Sequence, residues 1–196
     1  MPDQRLSQHR VSMLTVCGIA ELPEHDMRGV TDVLSILDPD TPEPDAFGAW
    51  PAHRRQLLRF HDEIEARPGV ALPTSNDVAA ILDYGRAIAA HPGEKHVLVH
   101  CHMGMSRSTA AMAMLIALEE PGLSGDDVFA RVHDIRKRAW PNSLMVRMAD
   151  EALGRNGDLL AAMRRLYGRQ LVAFPTFGQS LRAIGRGAEV DMATAP

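Results

Sequence analysis

The sequence predicts an α/β fold, in which a central and mostly parallel β-sheet is flanked by helices. Short apolar runs typical of buried strands alternate with helix-like segments in the middle of the chain, and helix-like segments dominate the C-terminal half. One apolar run, residues 97–99, leads through a tight loop directly into an apolar helical segment. Because α/β sheets place their ligands at the carboxyl ends of strands, this strand–loop–helix unit is the predicted functional site.

Four segments have the apolar or alternating pattern of strands. They cover residues 11–17, 33–37, 56–60 and 95–100. The segment at 38–44 contains three prolines, which fix φ and remove hydrogen-bond donors, so it is predicted to be a surface loop.

The predicted helices are marked by caps and by apolar residues that share one face. Thr74 or Ser75 can cap the first helix, Asp77 suits its first turn, and Pro92 ends it. Further helices are predicted over residues 108–118, after the cap at 124, from 143 to about 153, and over 158–167.

Length and composition indicate one globular domain, assigned to residues 1–185, followed by a Gly/Ala-rich and flexible tail at 186–196. The net charge of −4 argues against a nucleic-acid-binding protein, which needs a basic face. The sequence contains no signal-peptide pattern at its N-terminus and no apolar run long enough to insert in a membrane. Two cysteines cannot build a disulfide framework, so a reducing, cytoplasmic location is expected.

The loop that joins the fourth strand to its helix begins with Cys101 and ends with Arg107. Its backbone amides at a helix N-terminus can surround a phosphate-sized dianion, and they favour the thiolate form of Cys101. Gly104 allows a backbone geometry that a Cβ would obstruct, and the planar guanidinium of Arg107 can bind two phosphate oxygens. The residues predicted to form the phosphate-binding loop are His102, Met103, Gly104, Met105 and Ser106.

This residue set predicts a two-step phosphoryl transfer through a phosphocysteine at Cys101. Arg107 and the amides can neutralise the phosphate oxygens, so neither a metal nor another cofactor is required. Ser108 follows the arginine, and its hydroxyl can donate a hydrogen bond to the thiolate as that leaves in the second step.

The motif His100-Cys101, five residues, Arg107-Ser108 resembles the signature of the cysteine-dependent protein tyrosine phosphatases. The flanking residues 104–110 are similar to the dual-specificity branch, of the bacterial type. The resemblance is strongest over residues 97–113 and extends more weakly over 59–142. It implies a strand–loop–helix phosphate site and a thiol mechanism, and it implies that His100 braces the backbone of the cysteine.

The resemblance also implies a general acid, because an alkoxide or phenoxide leaves poorly without a proton. The family carries an aspartate on a loop upstream of the signature, and Asp62 occupies that position. Glu63 and Glu65 are the nearest substitutes, since the spacing from Asp62 to Cys101 is somewhat long for the family. Asn142 follows a proline and resembles an asparagine that steadies the catalytic loop, or it is simply a helix N-cap.

Several alternatives compete with this hypothesis. Cys17, inside an apolar strand, is expected to be an inert core residue. His100 and His102 flank a cysteine, but alternation along a strand directs Cys101 away from both, so no metal site is predicted. A non-catalytic phospho-residue-binding module and a rhodanese-like sulfurtransferase remain as alternative functions. A low-molecular-weight phosphatase is disfavoured, because that family carries its cysteine loop near the N-terminus.

The predicted substrate is a phosphorylated protein, or a related small phosphomonoester. His102 and Met105 stand where inositol-lipid phosphatases often have lysines, which disfavours highly charged lipid headgroups. The physiological substrate and the oligomeric state are not specified by the sequence.

Overall fold

The structure, a computed structural model, describes residues 13–26 and 28–195. Its strands are β1 (Met13–Gly18), β2 (Asp32–Leu37), β3 (Arg54–Arg59) and β4 (His96–Cys101). They pair in parallel in the order β1-β4-β2-β3, which confirms the predicted parallel sheet. Val11 and Ser12, at the start of the first predicted strand, lie outside the described residues, as does the N-terminal segment before them.

The helices lie mostly after the third strand, as predicted. They are α1 (Ser75–Ala90), α2 (Arg107–Glu119), α3 (Gly125–Ile135), α4 (Ser143–Ala152), α5 (Asp158–Ala173), α6 (Phe177–Ala183) and α7 (Gly187–Asp191). Two 3₁₀ helices cover Ile19–His25 and Asp45–Ala49. No helix in the described ranges is long and apolar enough to cross a lipid bilayer.

The predicted caps are present in the structure. Thr74 Oγ1 accepts a hydrogen bond from the backbone N–H of Asp77, whose carboxylate accepts one from the N–H of Thr74 in return. Ser124 Oγ caps α3 by accepting from the N–H of Asp127, and its hydroxyl donates to the carboxylate of Asp127. Both caps satisfy N–H groups that the first helical turn leaves unpaired.

The side chains of β4 alternate between two hydrophobic clusters, one on each face of the sheet. Val97 and Val99 pack in the larger cluster with the helices, whereas Leu98 packs in the smaller cluster beneath the 3₁₀ segments. All three are at most 1% exposed. The uninterrupted apolar run of β4 follows from its burial on both faces, which is typical of a parallel strand. Its carboxyl end, and the loop that follows, is therefore held by the core.

The C-terminal segment differs from the prediction. Residues 186–196 were expected to be a flexible tail, but Gly187–Asp191 forms α7, and Arg186 and Glu189 are buried. The prediction was wrong because the Gly/Ala-rich composition gave no sign that these two charged side chains have buried partners. The folded part of the chain thus extends past residue 185.

Candidate active site

The loop between β4 and α2 folds tightly over the end of β1. Gly104 has φ +67°, and a Cβ built on it would lie 2.4 Å from the carbonyl carbon of Cys17. Any side chain there would therefore both clash and adopt an unfavourable backbone conformation. On the outer side of the loop, Arg136 donates a hydrogen bond to the carbonyl of Met103 and pairs with Glu21, which in turn accepts from the N–H of Gly18.

Several donors of this loop have no hydrogen-bond acceptor among the described residues. Among the hydrogen bonds of the described residues, none is donated by the backbone N–H groups from Met103 to Arg107. The Nε of Arg107 is likewise buried without a partner within residues 13–26 and 28–195. A buried donor left unpaired costs about 1–3 kcal/mol, so the Nε of Arg107 favours an oxyanion that accepts from it, and backbone amides at a helix N-terminus are suited to the same ligand.

Cys101 lies at the base of the loop with its side chain only 2% exposed. Its Sγ is 3.2 Å from the hydroxyl of Ser108, on the first turn of α2. Either atom of this pair can donate the hydrogen bond. The structure thus brings Cys101 and Ser108 together at the start of α2.

Arg107 is held from two sides. Its Nη1 donates to the carboxylate of Asp38 and to the carbonyl of Phe60, each at 2.6 Å, and the residue is 2% exposed. Asp38 follows β2 and Phe60 follows β3, so the carboxyl ends of three neighbouring strands meet at this guanidinium. Asp38 was predicted only as part of a surface loop, and its link to Arg107 was missed.

Asp62 lies beside the loop, as expected for a candidate acid. Its Oδ1 accepts hydrogen bonds from the hydroxyl of Ser106 at 2.7 Å and from the amide of Asn142 at 3.0 Å. Arg186 Nη1 lies 3.1 Å from the same oxygen. Glu63 instead pairs with Arg67 at 2.6 Å, and Glu65 is exposed.

Asn142 caps a helix and also contacts the loop of Asp62. Its Oδ1 caps α4 by accepting from the N–H of Met145, while its Nδ2 donates to Asp62 and to the carbonyl of Glu63. Its backbone N–H also donates to the carbonyl of Ser106. A single residue thus links the start of a helix to the loop of Asp62 through its side chain and to the phosphate loop through its backbone.

Solved structures of similar fold were found for phosphatases and phosphatase-like proteins. They include the human tyrosine phosphatase-like serine/threonine/tyrosine-interacting protein, 21% identical, with a TM-score of 0.54 over 76% of this chain and 96% of that one. Human DUSP28 is 19% identical, with a TM-score of 0.54 over 73% of this chain and 94% of its own. The PTP-2 phosphatase of Cydia pomonella is 22% identical, with a TM-score of 0.55 over 74% of this chain and 88% of its own.

The chain has the dual-specificity and tyrosine phosphatase fold. No protein-family model matches the chain, and a search of curated proteins finds no significant match. The fold confirms the predicted architecture, and it places the phosphatase-like loop at the carboxyl end of the central strand β4.

Within this phosphatase fold, the two histidines beside Cys101 have different surroundings. His100 is fully buried, its Nε2 is 2.7 Å from the hydroxyl of Ser35, and burial lowers its pKa to about 4 against an opposing effect of the Cys101 backbone. His102 accepts from the N–H of Asp38 through Nε2, and burial lowers its pKa as well. Both imidazoles are therefore neutral near pH 7 and act as hydrogen-bonding groups.

Cys17 packs in the smaller hydrophobic cluster, on the other face of the sheet from Cys101. Burial raises the pKa of its thiol to about 12, so it is protonated and unreactive at neutral pH. Within the described ranges, no group of three or more His, Cys, Asp or Glu side chains is arranged to hold a metal ion.

The site also contains Arg186, which sequence analysis did not identify. Its side chain reaches Ser106 and Asp62 from the segment just before α7. The sequence carries no local signal for this contact, since the partners lie far apart along the chain.

The most exposed part of the loop is Met103, at 69%, which places this residue at the rim beside Met105.

Proposed function

We propose that the chain is a phosphomonoester hydrolase of the protein tyrosine or dual-specificity type, acting through a phosphocysteine at Cys101. The observation that carries the proposal is a set of loop donors that have no acceptor within the described part of the chain: the amides from Met103 to Arg107 and the buried Nε of Arg107. Their arrangement above a cysteine at a helix N-terminus suits a phosphate dianion bound beside sulfur.

In the first step, the Cys101 thiolate attacks phosphorus, and an S–P bond forms as the P–O bond to the leaving group breaks. Arg107 and the loop amides bind the three non-bridging oxygens, where charge develops in the transition state. Asp62 gives its proton to the leaving oxygen. Among the described residues, the hydrogen bonds donated to its carboxyl group are all accepted by Oδ1, so Oδ2 is the oxygen available to carry that proton.

In the second step, water attacks phosphorus and the S–P bond breaks. Asp62, now ionised, takes a proton from the water, so the acid of the first step is the base of the second. The hydroxyl of Ser108, 3.2 Å from Sγ, donates a hydrogen bond to the departing thiolate. Inorganic phosphate leaves and the enzyme returns to its starting state. No metal is needed, because Arg107 and the amides supply the positive charge.

The proposed substrates are phosphorylated proteins or small phosphomonoesters. The exposed Met103 and the half-buried Met105 give the rim of the loop an apolar character, which suits an aryl phosphate such as phosphotyrosine. The two free cysteines suit a reducing compartment, and we propose the cytoplasm.

The experiment that tests the function is phosphate release from a panel of phosphopeptides and phosphoinositides, with Cys101→Ser as the blank. A protein that binds vanadate yet releases no phosphate from the panel would be a binding module instead.

The role of Asp62 can be tested by leaving-group dependence. We expect Asp62→Asn to slow hydrolysis of an alkyl or simple phenyl phosphate by about 10²- to 10⁴-fold, because these leaving groups need a proton. An aryl phosphate with a strongly acidic phenol should be affected much less. The measurement is kcat/KM for both substrates at one pH.

Glu65→Gln is the matched control for Asp62→Asn, since Glu65 is an exposed carboxylate of the same loop. It should leave both rates unchanged. Glu63→Gln tests the other substitute, which is engaged with Arg67. An equal loss with both leaving groups in Asp62→Asn, or a selective loss in Glu63→Gln, would reject the assignment of the acid.

Asp38 should act through Arg107. Asp38→Asn removes the charged partner at 2.6 Å from Nη1, which loosens the guanidinium without removing it. We expect an increase of about 10-fold or more in KM for a phosphomonoester and in the inhibition constant of inorganic phosphate, because the two-point phosphate contact depends on orientation. Asp40→Asn changes an exposed carboxylate two residues away and serves as the control. Similar behaviour of the two variants would show that Asp38 does not position Arg107.

A further inference from the structure

A buried arginine from the C-terminal segment reaches the phosphate loop. Arg186 is 5% exposed, and its Nη1 donates to the hydroxyl of Ser106 at 2.7 Å. The same nitrogen lies 3.1 Å from Asp62 Oδ1. One guanidinium nitrogen therefore contacts both the last residue of the loop before Arg107 and the proposed acid.

Arg186 is held in place by Glu189, which is fully buried. Arg186 Nε donates to Glu189 Oε2 at 2.7 Å, and Nη2 lies 2.5 Å from the same oxygen. A charged pair persists in the interior only when both members are well paired and hydrogen-bonded. Burial opposes the positive charge of Arg186, but the carboxylates of Asp62 and Glu189 outweigh it and raise the pKa of the guanidinium.

Glu189 is itself fixed by two donors from the helical layer. Its carboxylate accepts from Trp140 Nε1 at 3.0 Å and from the N–H of Ser143 at 2.8 Å. The hydroxyl of Tyr167 lies 3.3 Å from the carboxylate and donates its one proton to the carbonyl of Pro141. Trp140 stacks on Tyr167 with ring centroids 4.0 Å apart, so these donors are rigid. The guanidinium of Arg186 is thus oriented by Glu189, and it in turn contacts Ser106 and Asp62.

The hydroxyl of Ser106 connects Arg186 to Asp62. Its hydroxyl accepts from Arg186 and donates to Asp62 Oδ1, so the direction of its O–H bond is set by the arginine. Asp62 Oδ1 therefore contacts a hydroxyl, an amide and a cation, and these three contacts restrict the orientation of the carboxyl plane. Without Arg186, the Ser106 hydroxyl and the Asp62 carboxyl would each lose one of the contacts that fix their orientation.

We propose that Arg186 is a positioning residue for phosphate-ester hydrolysis, which fixes the acid Asp62 and the loop residue Ser106 so that the C-terminal segment completes the active site. This inference rests on the proposed function. Arg186 acts through Asp62 and Ser106 and does not itself contact the reacting phosphate. The competing interpretation is a purely structural one, in which Arg186 and Glu189 only anchor α7 to the helical layer.

Leaving-group dependence separates these two interpretations. Arg186→Met should reduce kcat/KM for a poor leaving group about 10- to 100-fold more than for a good one, since only the poor one needs the aligned acid. A structural role would lower both rates equally. Arg182→Met is the matched control, because Arg182 is an exposed arginine near the end of α6 that pairs with Asp191 at 2.5 Å. It should leave both rates unchanged.

A double-mutant cycle adds a second readout. In an Asp62→Asn background, Arg186→Met should cost little further activity with the poor leaving group, because its effect passes through Asp62. Additive losses would overturn the proposal, as would an equal loss with both leaving groups. If Arg186→Met does not fold, Arg186→Lys replaces it, and the same asymmetry is expected at smaller size. If the wild-type protein releases no phosphate, the proposed function fails. If it releases phosphate but Arg186→Met lowers the rates with good and poor leaving groups equally, only this inference fails.

Discussion

Cys101→Ser is expected to lower the rate of phosphate release by at least about 10⁴-fold, because a serine hydroxyl stays protonated where a thiol can ionise. The substitution is nearly isosteric, and it preserves the hydrogen-bonding distance to Ser108. Phosphate or vanadate should therefore still bind to the loop, and the loss should lie in kcat. The measurement is steady-state phosphate release, together with vanadate affinity by calorimetry.

Cys17→Ala is the control for Cys101→Ser, since it removes the other thiol from the opposite face of the sheet. It should retain activity close to that of the wild-type protein. More than about a tenth of wild-type activity in Cys101→Ser would rule out Cys101 as the nucleophile.

Arg107→Lys should reduce kcat/KM by at least about 10²-fold, although the positive charge is kept. Lysine lacks the planar pair of donors that can bind two oxygens at once, and it also lacks the buried Nε that has no partner among the described residues. Both KM and kcat should suffer, because the guanidinium binds the phosphate and stabilises the charge that develops on it. The measurement is kcat and KM for one aryl phosphate, with the inhibition constant of inorganic phosphate.

Arg86→Lys provides the comparison, since Arg86 is an exposed residue of α1 that pairs only with Asp83 among the contacts described. That variant should be indistinguishable from wild type. A loss of only a few fold in Arg107→Lys would mean that a point charge suffices, and the two-point phosphate contact would have to be abandoned.

The parts of the site that the sequence could predict are those whose chemistry is local. Cys101, Gly104, Arg107 and Ser108 lie within eight consecutive positions, and the loop geometry that needs them follows from a strand ending where a helix begins. The central strands β2 and β4 were also predictable, because burial on both faces of a parallel sheet favours continuous apolar runs.

Asn142 illustrates an intermediate case. A proline-asparagine pair before an apolar segment indicates a cap on sequence grounds alone. Its contact with the loop of Asp62 and Glu63 depends on the tertiary structure, because that loop is distant in sequence. The resemblance to a known signature suggested that role, whereas the cap itself followed from local chemistry.

The missed residues depend on contacts between distant parts of the chain. Asp38 lies at the end of a strand next to β4, but its role follows only from the strand order, which local patterns do not specify. Arg186 and Glu189 stand in a Gly/Ala-rich segment whose composition is typical of a frayed end. Their burial follows from partners on α4, α5 and the loop before α4, and no periodicity in the segment itself indicates it.

The most direct measurement is capture of the covalent intermediate. The protein would be mixed with a radiolabelled aryl phosphate, quenched within milliseconds in denaturant, digested and mapped. A phosphocysteine should appear on the peptide that contains Cys101, at the rate of phenol release, and it should be absent from Cys101→Ser. Phosphate release with no label on that peptide, or with label on another residue, would contradict the account.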